Sequence, residues 1–147
     1  AEAKFGTKDY AAGIADYKKA IQLDPQSMLL KNNFAAALVE SNQDLELAES
    51  LVKQTTEGSP KNGLYQDTYG LVLFRKGKYS EAKTHFEMAL ALEGEDPEIN
   101  EHLGDACSKL GNIEEALKYW NKAKRLGSVS SVLEKKITDK KYYDPID

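Results

Sequence analysis

Apolar residues return every three or four positions along nearly the whole chain, in blocks parted by short polar stretches that carry the prolines and many of the glycines. That spacing marks the buried stripe of an amphipathic helix. It predicts a helix ending near Gly6, then helices at about 9–22, 27–41, 44–57, 62–76, 79–92, 97–110 and 113–126. A last helix near 130–141 carries Val132, Leu133 and Ile137 at helical spacing. The punctuation agrees. Asp9, Asp44 and Asn112 stand where helices should begin, offering side-chain acceptors to exposed backbone N–H groups. Asn112 with Glu115 has the spacing of a capping box. Asp96-Pro97-Glu98 reads as a cap, a proline at the first helical position and an acid matched to the helix dipole. Gly77 and Gly111 supply the left-handed residue that closes a helix. The pattern is all-α, with no domain boundary.

The blocks repeat. Gly70 falls on Gly104, Gly77 on Gly111, Glu81-Ala82 on Glu115-Ala116, Phe86 on Trp120, Ala89 on Ala123 and Leu92 on Leu126, each pair 34 residues apart. One period earlier, Ala48 aligns with Ala82, Ala36 with Gly70 and Val52 with Phe86. A further copy is visible in Tyr10 to Pro25, where Asp24-Pro25 corresponds to Ser59-Pro60 with one residue inserted. Small residues let two helix backbones approach, and a large residue four positions after a small one fills the adjoining space. This repeat resembles the tetratricopeptide (TPR) family, whose unit is a 34-residue helix–turn–helix. The resemblance implies a right-handed TPR superhelix over residues 1–147: a partial repeat at 1–27, repeats at about 29–62, 63–96 and 97–130, and a capping helix with tail at about 130–147. The first repeat keeps only the end of its first helix, and the chain starts on Ala1 rather than Met, which reads as the end of a longer solenoid.

The resemblance also implies a working surface. TPR arrays line their concave face with the first helix of each repeat. The family contacts ligands there through a fixed set of positions. In the second copy these positions hold Leu30, Asn33, Ala37, Glu40 and Ser41; in the third, Leu64, Asp67, Leu71, Phe74 and Arg75. In the fourth they hold Glu98, Glu101, Asp105, Ser108 and Lys109. The lining runs from apolar to acidic. It implies a polypeptide ligand with apolar anchors and a basic end, steered by charge and held by apolar contact. Chaperone-docking TPR domains grip a C-terminal carboxylate with a Lys/Asn/Arg clamp. Only Asn33 matches part of that set, so such a ligand is disfavoured.

Composition changes this little. The formal net charge is −4 and charged residues make up 30% of the chain with both signs mixed, against the basic excess that phosphate binding requires, so no nucleic-acid partner is expected. No apolar run reaches the roughly 20 residues of a membrane span. The single cysteine, Cys107, excludes an internal disulfide and sits at a position usually filled by a core apolar residue. Trp120 occupies the aromatic packing position. His102, with Glu98 and Asp105 on one face, offers at most a weak metal or hydrolytic site, and the packing role outweighs it. No phosphate loop, Ser–His–Asp set or metalloprotease helix occurs, so no cofactor and no catalysis are expected. Lys135-Lys136 and Lys140-Lys141 read as a solvated basic face, and Tyr142-Tyr143 as residues that pack back on the last helix. The expected function is a non-catalytic protein-binding scaffold, with homotypic self-assembly as the alternative. Resemblance to terminal repeats of bacterial TPR proteins favours the periplasm or envelope over the cytoplasm, with a role in assembly or secretion.

Overall fold

A computed structural model of the protein describes residues 10–144. Along these residues run α1 (Tyr10–Leu23), α2 (Met28–Ser41), α3 (Leu45–Gly58), α4 (Gly63–Arg75), α5 (Tyr79–Glu93), α6 (Pro97–Lys109), α7 (Ile113–Arg125) and α8 (Leu133–Asp139), with no strand among them. The expected helix ending near Gly6 and the Asp9 cap lie outside the described residues. Asp44, Asp96 and Asn112 cap α3, α6 and α7 as expected, and Ser27 and Asn62 do the same for α2 and α4. The Asn112 side-chain amide also donates to the Glu115 carboxylate at 3.1 Å, while its backbone N–H bonds the Cys107 carbonyl. Gly77 and Gly111 take φ of +81° and +87°. The residue after each glycine bonds back five positions, Lys78 N–H to the Leu73 carbonyl and Asn112 N–H to that of Cys107.

Each first helix packs on the second helix of its own repeat through the small-to-large pairs of the alignment. A Cβ on Gly70 would stand 2.4 Å from Phe86 Cε1, and one on Gly104 would stand 2.3 Å from Trp120 Cδ1. Both are inside van der Waals contact, so only glycine admits these rings. Phe86 and Trp120 are fully buried beside Ala82, Ala89, Ala116 and Ala123. Backbones of successive first helices also approach one another, α2 with α4 and α4 with α6, whereas α3, α5 and α7 make no comparable approach. That asymmetry curves the stack and turns α2, α4 and α6 toward its inner face. The last helix starts later than expected, at Leu133 rather than about 130, because Ser128 and Ser130 turn aside to bond Glu101 on α6.

Candidate functional site

The groove positions expected from the sequence fall into an open half and a covered half. On α2, Asn33 and Glu40 are exposed, Leu30 is half-buried and Ala37 is buried. On α4, Leu64 is 54% exposed and Leu71 half-buried, while Asp67 and Phe74 are buried and Arg75 lies between. On α6, Glu98 and Lys109 face solvent, but Glu101 and Asp105 are buried. The chain's own C-terminal segment covers Glu101, Asp105 and Phe74. Lys136 of α8, 1% exposed, donates from Nζ to Glu101 Oε2 and to Asp105 Oδ1, both at 2.8 Å. Ser128 and Ser130 add bonds to the two Glu101 oxygens at 3.2 and 2.8 Å. Trp120 Nε1–H, aimed by the slot over Gly104, donates to Asp105 Oδ1 at 3.0 Å.

Two of the three acids at this pole, Glu101 and Asp105, are thus engaged from within the chain, while Glu98 stays exposed. This differs from the reading of Lys136 as part of a solvated basic face. A signal was available: Lys136 follows Leu133 by three positions and precedes Ile137, which places it on the apolar stripe of α8. Its long stem packs with that stripe while its charge meets the α6 acids.

The ionisation of the cluster follows from burial and charge. Burial alone would raise the Glu101 carboxyl, but the Lys136 charge and hydrogen bond, with that of Ser130, hold it below the ordinary value. At Asp105 burial outweighs the Lys136 charge and hydrogen bond and pushes the carboxyl up to about 6. His102 takes its partner from the preceding repeat rather than from its own helix: Nδ1 lies 2.9 Å from Asp67 Oδ1. Burial disfavours the charged ring, yet the charge and hydrogen bond of Asp67, aided by Asp105 and Glu101, raise it to about 9. That raised value favours the protonated ring at neutral pH, so a metal would have to displace a proton to bind there. Among the described residues, no three His, Cys, Asp or Glu side chains converge to hold one. Cys107, 1% exposed, is pushed up to about 11 by burial, with Glu115 adding to the effect. Its position and that of Trp120 are core, as the sequence suggested.

Beyond α8, Tyr142 lies against the α4–α6 surface. Its ring centroid is 5.2 Å from that of Phe74 and 4.8 Å from Lys109 Nζ. It borders a recess of about 80 Å³ whose walls include Val39, Leu71, Phe86 and His102. Asp144 engages the Arg75 guanidinium through both carboxylate oxygens.

Comparison with known proteins bears on this arrangement. Family models described as tetratricopeptide repeat match residues 70–130 and residues 1–27. The small glutamine-rich tetratricopeptide repeat-containing protein 2 of Mycosarcoma maydis is 30% identical over 105 residues, covering 71% of this chain and 30% of that protein. The chain spans less than a third of the length of the curated relatives it matches. Among solved structures, the thermophilic TPR protein TTC0263 of Thermus thermophilus superposes with a TM-score of 0.71 at 23% identity, over 86% of this chain and 70% of that one. The first TPR of Spaghetti (RPAP3), bound to the HSP90 peptide SRMEEVD, gives 0.70 at 18% identity, over 80% of this chain and 92% of that one. At such identities the structures establish the fold alone. With the 34-residue repeat, the glycine-to-aromatic packing and the matched family models, they make this chain a member of the tetratricopeptide repeat family.

Proposed function

We propose that this chain is a non-catalytic scaffold that holds a polypeptide segment along α2, α4 and α6. The observation that carries the reading is the open half of the inner face. There Leu30, Leu64 and Leu71 are left partly or largely uncovered beside the polar Asn33, Glu40 and Glu98. Apolar side chains set among a few polar ones suit an extended or helical ligand with apolar anchors. A basic end of that ligand would meet Glu40 and Glu98, because Glu101 and Asp105 are already engaged by Lys136. The HSP90 peptide on the RPAP3 repeat supports the general mode of binding. The clamp chemistry does not carry over, since acids stand where the last repeat would need cations. A setting in bacterial envelope assembly or secretion rests on the resemblance of the repeats alone.

The test is selection of random peptides displayed on phage against the full chain, with counter-selection on Leu64→Lys and Glu98→Lys variants. Both residues are exposed, so these variants keep the fold. Enriched peptides should bind each variant at least about tenfold more weakly than the wild type, as expected when an anchor site is lost. Peptides that bind all three proteins equally would sink the reading.

A further inference from the structure

The segment after α8 lies where a ligand would. The chain turns at Lys140, in the left-handed region at φ 57°, and reaches α6 and α4. Tyr142 packs on Phe74 and under Lys109, and two residues later Asp144 forks onto Arg75. Phe74, Arg75 and Lys109 are all positions at which the family resemblance implies ligand contact. The Arg75–Asp144 contact joins residues 69 apart in sequence, so it is a tertiary choice and not a local turn.

We propose that the α4–α6 part of the groove recognises an aromatic residue followed two positions later by a carboxylate, and that the Tyr142–Asp144 segment occupies this site in cis until a partner segment of that chemistry displaces it. The proposal rests on the groove reading and narrows it. At this end the preferred ligand is aromatic and acidic, although the sequence of α6 suggested a basic one.

Three features argue for a recognition site rather than incidental packing. Glu101 and Asp105 are engaged by Lys136, and cations stand around Tyr142 and Asp144: Arg75, Lys109, and Lys136 itself at 5.1 Å from the Tyr142 ring. Phe74 stands at the centre, with Tyr79 edge-on to it at 5.1 Å and Tyr142 tilted against it, an arrangement that accepts a flat ring from a ligand in place of Tyr142. The guanidinium–carboxylate fork fixes the spacing between ring and acid. A tethered tail is presented at an effective concentration on the order of 1 mM, so one with an intrinsic dissociation constant of about 0.1 mM would mask the site about tenfold. Masking of that size is readily displaced by a partner with additional contacts along α2.

The test uses a fluorescein-labelled nonapeptide with the sequence of residues 139–147 and polarisation titrations on the full chain. A Tyr142→Ala/Asp144→Lys variant, which empties the site, should bind the peptide at least about tenfold more tightly than the wild type. Adding Arg75→Glu should abolish that gain, and a peptide carrying Asp144→Lys should regain binding to the Arg75→Glu protein. If the double variant loses cooperative thermal unfolding, Asp144→Lys alone serves, because it leaves the Tyr142 packing in place and should move binding in the same direction. An emptied, folded chain that binds the peptide no better than wild type overturns the proposal. Display-selected peptides that need Leu64 and Glu98 but bind wild-type and emptied chains alike would overturn it and leave the groove function standing. If no groove-dependent peptide exists, both readings fall.

Discussion

Replacing Lys136 with methionine tests the buried charge cluster most directly. The substitution keeps the apolar stem on the α8 stripe and removes the ammonium that bridges Glu101 and Asp105 at 2.8 Å each. The side chains of these acids are only 9% and 11% exposed, so water cannot replace the lost partner. Removing one member of a buried ionic set costs about 3–5 kcal/mol, mostly as the penalty of stranding the remaining charge. Ser128, Ser130 and Trp120 still donate to the stranded carboxylates, which places the expected loss at the lower end, about 3 kcal/mol at pH 8. The loss should depend on pH. Asp105 has a raised value in the folded state, about 6 against an ordinary 3.8, so its ionisation opposes folding as pH rises through that window. At pH 5 it is already largely protonated in the wild type, and Lys136 then has only Glu101 to stabilise. The cost of Lys136→Met should fall to about half its pH 8 value. Urea unfolding at both pH values measures it, followed by circular dichroism and by the emission of Trp120, the single tryptophan, whose indole donates to Asp105. A Glu101→Gln/Asp105→Asn/Lys136→Met protein should regain most of the loss, because neutral amides suffer less from burial. A cost below about 1 kcal/mol at both pH values, or one that does not change with pH, would mean that the Lys136 ammonium does not hold Glu101 and Asp105 as a buried ionic set.

Further outcomes follow from the same geometry. Gly104→Ala should lower stability by about 2 kcal/mol despite alanine's better helix propensity, because its Cβ would meet Trp120 Cδ1 at 2.3 Å; chemical denaturation measures this, and a stabilised variant would contradict the packing. His102 has a raised folded value, so its contribution is complete below its ordinary 6.5 and disappears as pH rises through about 9. The stability gap between wild type and His102→Gln should therefore be about 3 kcal/mol at pH 6 and close toward pH 10, and a gap constant with pH would exclude the ion pair with Asp67. Cys107, buried and held near 11, should react with a disulfide reagent at pH 8 only after urea unfolding; prompt native-state labelling would show that the last repeat opens.

Much of the fold was legible because its signals are local or periodic. Caps at Asp44, Asp96 and Asn112 act within three residues, and Gly77 and Gly111 close helices by their own backbone freedom. The 34-residue period aligns Gly70 with Gly104 and Phe86 with Trp120, and each glycine–aromatic pair belongs to one helix–turn–helix unit. Core assignments at Cys107 and Trp120 followed from that register. The exposure of Asn33, Glu40, Leu64 and Glu98 is consistent with that register, because a position on a repeat fixes the face it occupies.

The inner face of the last two repeats was not legible in this way. A charge on α6 looks identical in sequence whether solvent or a buried ammonium meets it. Lys136 lies 31 residues beyond Asp105 and 35 beyond Glu101, outside any helical or repeat spacing. His102 takes Asp67 across a repeat boundary, and Asp144 reaches Arg75 across 69 residues. The helices, their pairing and the identity of the repeat can be read along the chain, because they depend on neighbours within one unit. Which inner-face positions stay exposed and what charge they present depends on where the C-terminal segment folds back, and no local periodicity encodes such a contact.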